Sequence, residues 1–82
     1  MKTVKDRAYS FNHTKDRLLE RCQVSLSFDE YNELCQRYID NKVTIDNVEG
    51  EQIVFLTGFK GNMIKFVWSN KRKLITTALK TI

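Results

Sequence analysis

Between residues 52 and 79 the chain makes three strand-forming runs separated by two turn signals, and this stretch limits the fold more than any other. The runs read Gln-Ile-Val-Phe-Leu-Thr-Gly-Phe, Met-Ile-Lys-Phe-Val-Trp-Ser and Leu-Ile-Thr-Thr-Ala-Leu. β-Branched and aromatic residues dominate them, as a half-buried pleated surface requires. Gly61-Asn62 tolerates the positive φ of a two-residue hairpin turn, and residues 70–73 make a second, four-residue turn. The first turn sets Phe59 opposite Ile64, Thr57 opposite Phe66 and Phe55 opposite Trp68. The second sets Trp68 opposite Ile75 and Phe66 opposite Thr77.

One face then holds Phe55, Thr57, Phe59, Ile64, Phe66, Trp68, Ile75, Thr77 and Leu79, a floor for helices. The other holds Val54, Leu56, Lys65, Val67, Thr76 and Ala78, joined by Val43 and Ile45 from a short preceding strand. That second face is more apolar than a solvated one. A helix, another chain or a bound partner could cover it.

The helical half runs over 12–41. A first helix is expected at 12–23, capped by Asn12 or Thr14, with Leu18, Leu19 and Cys22 as a short apolar stripe extended by Phe11. Residues 1–10 are polar and without period, so they read as a flexible arm or an edge strand. The second helix is better signed. Ser27 and Glu30 form a capping box, and Leu26 can staple onto Tyr31. Phe28, Tyr31, Leu34, Cys35, Tyr38 and Ile39 keep helical spacing, and Asp40-Asn41 closes the element. The expected architecture is one α+β domain over 1–82. Two N-terminal helices pack on one face of a three- to four-stranded antiparallel meander at 43–79.

Cys22 and Cys35 make neither a disulfide framework nor, with a single His, a metal site. They read as small core residues, and pairing with each other is the alternative. With three glycines there is no phosphate loop, so neither metal nor cofactor is expected. No apolar run spans a bilayer and no leader pattern opens the chain, so the expectation is a cytoplasmic protein without a membrane partner.

Charge is spread unevenly. Residues 1–40 balance seven bases against seven acids, and 41–51 sum to −2. From 52 onward come Lys60, Lys65, Lys71, Arg72, Lys73 and Lys80 with no acid. A basic, acid-free sheet favours an anionic partner, RNA first, with Lys60, Lys65, Lys71, Arg72, Lys73 and Thr76 as the contact residues. The bland reading is that lysines solubilise turns and edge strands. Neither helix has the concentrated basic face of a DNA recognition helix.

On the first helix, His13, Arg17 and Arg21 recur every four residues and stack in one row. Metal-free RNA cleavage uses such groups: His moves the proton of a 2′-hydroxyl, and arginines neutralise the charged phosphate. These three are the candidate catalytic residues. The bland reading is a solvated face with Arg17 paired to Glu20.

His-Thr-Lys-Asp-Arg-Leu-Leu-Glu-Arg at 13–21, Leu-Ser-Phe-Asp-Glu at 26–30 and the closing Ile-Lys-Phe-Val-Trp…Leu-Ile-Thr-Thr-Ala-Leu form a pattern over about 12–79. It resembles small bacterial and phage proteins of the RelE-type and colicin-type toxin ribonucleases, in the barnase–EndoU–colicin–RelE fold group. The resemblance implies two helices on a curved sheet with RNA on the sheet's open side, and it carries over His13, Arg17, Arg21, Lys65 and Thr76. Such toxins often end in a basic, Tyr- or Arg-bearing segment, which Lys80-Thr81-Ile82 lacks, and no second acid/base stands near the sheet. Two functions follow. One is a small RNA-binding protein acting as a metal-independent endoribonuclease of toxin type. The other is a non-catalytic phage- or bacteria-encoded module that modulates a host or cognate protein, or forms a homodimer, through its second sheet face.

Overall fold

The computed structural model describes residues 4–79. Helices α1 (Val4–Cys22) and α2 (Phe28–Ile39) precede strands β1 (Thr44–Glu49), β2 (Gln52–Phe59), β3 (Asn62–Ser69) and β4 (Leu74–Leu79). The strands pair in the order β1-β2-β3-β4, all antiparallel, so the α+β meander expected from the sequence is the observed fold.

α2 begins as its capping box dictates. The Glu30 amide donates to Ser27 Oγ at 3.1 Å, and the Ser27 amide donates to Glu30 Oε1 at 2.8 Å. That second bond holds the Glu30 carboxyl below its ordinary pKa. Asp40 caps the C-terminus, and Asn41 follows in the left-handed region with φ 59°.

α1 differs from expectation. Residues 4–10 are helix rather than an arm or edge strand, and Asn12 and Thr14 lie inside the element; the rest of the arm, 1–3, lies outside the described residues. From residue 7 onward, where burial is described, the buried positions on α1 are Ser10, Thr14 and Leu18, one every fourth residue. Two of the three are small hydroxyl residues, which an apolar count passes over.

The β2–β3 hairpin turns at Lys60-Gly61, with φ 50° and 82°, rather than at Gly61-Asn62. Both φ values are positive, as a type I′ turn requires. The pairing slides by two residues, so Phe55 meets Phe66 and Ile53 meets Trp68. A slip of two preserves the alternation, and the faces of β2 and β3 survive it.

β4 breaks the alternation. Val67 pairs with Thr77 and Trp68 with Ile75, leaving Thr76 as the extra residue of a β-bulge. Ala78 therefore lands opposite Phe66 and is buried, while Thr77 and Leu79 turn to the other face. The expected faces of these three are reversed. β1 carries a second irregularity at Asp46, which places Ile45 beside Phe55 on the helix side. Val43 packs on that same core, so neither belongs to the second face.

The core lies between the helices and the inner sheet face. Tyr31, Leu34 and Cys35 of α2 and Leu18 of α1 meet Phe55, Ile64, Phe66, Trp68, Ile75 and Ala78. Tyr38 stacks on Trp68 with ring centroids 4.2 Å apart. Phe28 and Ile39, expected inside, lie at the rim; Phe28 meets Phe11 edge-on at 5.2 Å. Cys35 is buried, Cys22 is half-buried, and both thiols are free.

α1 does not cross to the outer sheet face. Its contacts run along β4, the last strand of the sheet. Arg21 Nη1 donates to Ala78 O at 2.8 Å, and Thr14 Oγ1 makes a longer bond to Ile75 O at 3.5 Å. Tyr31 of α2 donates to the same Ile75 carbonyl at 2.7 Å. Helical side chains thus take edge carbonyls that another strand would otherwise claim.

Candidate functional site

Where α1, β4 and the β3–β4 turn meet, a cleft of about 260 Å³ is lined by Tyr9, Ser10, His13, Arg72, Thr76 and Thr77. Each element delivers its share for a local reason. Tyr9 and His13 are one helical turn apart, so their rings point the same way. The planes lie within 13° of parallel, with centroids 6.5 Å apart. Tyr9 is 66% exposed and forms the outer end of this aromatic ledge. The bulge in β4 brings Thr76 and Thr77, adjacent in sequence, both to the cleft wall. Thr76 Oγ1 donates to Val67 O at 3.3 Å and so offers the cleft its lone pairs. In the 70–73 turn, the Arg72 amide donates to Ser69 Oγ at 3.1 Å and the Lys73 amide to Ser69 O, which fixes the base of the Arg72 side chain.

The floor holds an anomaly. Ser10 is 2% exposed, and its Oγ is a buried polar atom without a hydrogen bond. It sits by the Tyr31 hydroxyl, whose own proton goes to Ile75 O. Burying an unsatisfied hydroxyl costs about 1–3 kcal/mol, and such groups are uncommon.

Among the described residues no carboxylate lines the cleft, and none of their ion pairs uses His13 or Arg72. Its lining is one guanidinium, one imidazole, one phenol ring and three aliphatic hydroxyls. That set can receive an anion and stack a flat ring.

The structure separates the residues singled out in the sequence. His13, Arg72 and Thr76 share the cleft, with Lys71 and Lys73 flanking Arg72 on the exposed turn. Arg17 makes a surface pair with Glu20 at 3.5 Å. Arg21 is engaged on the β4 backbone. Lys60 reaches the α1–α2 connection, donating to Ser25 O at 3.0 Å and pairing with Glu30 at 3.4 Å. Lys65 pairs with Asp46 at 3.4 Å on the outer face. The basic sheet is thus partly neutralised by acids from α2 and β1, and three of its bases, Lys71, Arg72 and Lys73, sit together in the β3–β4 turn. Tyr9, Ser10 and Thr77 were not among the residues singled out. A Tyr at i−4 from the lone His was legible; the tertiary burial of Ser10 was not.

A second, wider cleft of about 410 Å³ lies between α2 and β2, lined by Glu33, Gln36, Arg37, Asp40, Lys42 and Thr57. Arg37 spans it, donating to Gly58 O at 2.6 Å and Thr57 Oγ1 at 3.2 Å, which makes it a helix-to-sheet tie. No group of three or more His, Cys, Asp or Glu side chains able to hold a metal ion occurs among the described residues. No helix among them is long and apolar enough to cross a membrane. Comparison with family models, curated proteins and solved structures found no match to this chain.

Proposed function

We propose that this protein binds single-stranded RNA at the junction of α1, β4 and the 70–73 turn. The observation that carries the reading is the cleft itself: Arg72, His13 and an exposed Tyr9 gather on a lining that has no carboxylate among the described residues, beside Lys71 and Lys73. Single strands are held by basic grooves that track phosphates and by aromatic rings that stack bases. A guanidinium takes phosphate oxygens in a fork, and a base adds its face to the Tyr9–His13 ledge. Titrating a labelled single-stranded oligoribonucleotide into wild type, Tyr9→Ala and Arg72→Ala tests it. Each variant should weaken binding severalfold, and a duplex of the same sequence should bind more weakly. Equal affinity across all three proteins overturns the reading.

Toxin-type cleavage is the finer form of this proposal. It assigns His13 the proton of the 2′-hydroxyl and Arg72 the charged phosphate. Incubating RNA in EDTA with wild type and His13→Ala tests that form. Background-level cleavage by both leaves a binding protein.

The alternative, docking on another protein, has its own support in β1. All six residues of that strand are exposed, Ile45 by 49% and Val48 by 59%. An uncovered strand invites an added one. Molar mass measured over a concentration series tests it, and a monomer throughout removes self-pairing.

A further inference from the structure

We infer that the cleft accepts the terminal phosphate of an RNA strand, with the Ser10 hydroxyl donating to the innermost phosphate oxygen. This rests on the RNA reading above and specifies which part of the strand enters. Ser10 belongs to the cleft lining, and its Oγ is buried without a hydrogen bond of good geometry beside the Tyr31 hydroxyl, which leaves a proton that an entering ligand oxygen can accept. The volume, about 260 Å³, falls below the roughly 300–1,000 Å³ of pockets that enclose drug-sized ligands. It suits one small group. A phosphodiester inside a strand carries a nucleoside on both bridging oxygens and passes across the mouth. A phosphate monoester presents three free oxygens at a chain end and can push one inward.

The remaining lining matches that geometry. Arg72 from the turn and His13 from α1 supply donors to the outer oxygens, and Thr77 borders the same space. Tyr9, beyond His13, is placed to stack on the terminal base.

The test uses one short oligoribonucleotide prepared with a 5′-phosphate, a 3′-phosphate or hydroxyls at both ends, and binding to wild type and Ser10→Ala. Wild type should bind at least one of the phosphorylated ends about tenfold more tightly than the hydroxyl-ended strand, the gain of one charge-assisted hydrogen bond. In Ser10→Ala that preference should shrink while affinity for the hydroxyl-ended strand is kept. Because Ser10 Oγ is unsatisfied in the free protein, Ser10→Ala should hold or raise the Tm, which a structural hydroxyl would not allow. Equal affinity for all three strands overturns the inference and leaves RNA binding standing. A Tm raised by inorganic phosphate over chloride at matched ionic strength, with no end preference, assigns the cleft to the free anion and also overturns it. No binding to any strand overturns the RNA reading and this inference together.

Discussion

The Tyr31 phenol donates to Ile75 O in a site where none of the side chain is exposed. Burial there raises its pKa well above the ordinary phenol value. Tyr31→Phe keeps the ring and loses the bond, so unfolding at neutral pH should cost about 0.5–1.5 kcal/mol less. The pH dependence follows from the sign of the shift. The folded protein keeps its phenolic proton at pH values where the unfolded chain has lost it, so stability falls as pH rises past about 10. Burial shifts Cys35 and Tyr38 in the same direction, and the Cys35 loss should begin earlier, near the ordinary thiol value of about 8.5. Denaturant melts from pH 7 to 11 should show a shallower decline for Tyr31→Phe than for wild type. Arg21 gives a second residue-scale outcome. Its bond to Ala78 O is charge-assisted, so Arg21→Ala should lose about 1.5–3 kcal/mol of stability. If RNA binding holds, measurement below the melting range should show the affinity little changed, whereas Arg72→Ala should do the reverse. Chemistry at single positions was readable from residue type, but His13, Arg17 and Arg21 looked equivalent along the chain. Only the position of β4 shows that Arg21 is engaged on backbone and that His13 borders a cleft.

Elements were legible in proportion to how local their causes are. The α2 capping box lies within four residues and was read correctly. Ser27→Ala should cost about 1 kcal/mol in a chemical melt. Glu30, whose pKa is lowered in the fold, adds stability that is present above its unfolded value of about 4.3 and lost as pH falls through the folded value, so Glu30→Gln should flatten the acid limb. Hairpin register was less legible, because Lys60-Gly61 and Gly61-Asn62 both place glycine in a two-residue loop. The slide by two residues escaped notice since it moves no side chain across the sheet. The bulge at Thr76 was invisible for another reason: two adjacent threonines suit either face, and nothing local marks which one is extra. α1 was missed over 4–10 because its inward stripe is Ser10, Thr14 and Leu18. Small hydroxyl side chains let a helix approach a strand closely, yet they add nothing to an apolar period. Gly61 sits at φ 82°, so Gly61→Ala should lose about 1 kcal/mol through backbone strain, with no side-chain clash to relieve.

At the scale of the molecule, the count of six bases and no acid from 52 onward overstated the field of the sheet. Lys60 and Lys65 pair with Glu30 and Asp46, carboxylates contributed by α2 and β1. Of the other four, Lys71, Arg72 and Lys73 sit together in the β3–β4 turn, and Lys80 lies outside the described residues. If RNA binds there through about three phosphate contacts, a plot of log affinity against log salt should have a slope near −2, and Arg72→Ala should flatten it by about 0.7. Lys65→Ala should leave the slope unchanged.

The two borders of the sheet also differ. Along β4 the carbonyls of Ile75 and Ala78 are taken by Thr14, Tyr31 and Arg21, whereas all six residues of β1 are exposed and no described element packs along its outer border. Sheet-to-sheet growth without limit requires each unit to offer two free borders. This unit has one open border and one closed by its own helices. Edge pairing can therefore join two molecules about a twofold axis and no more, so the fold stops filaments through the same three side chains that hold α1 and α2 in place.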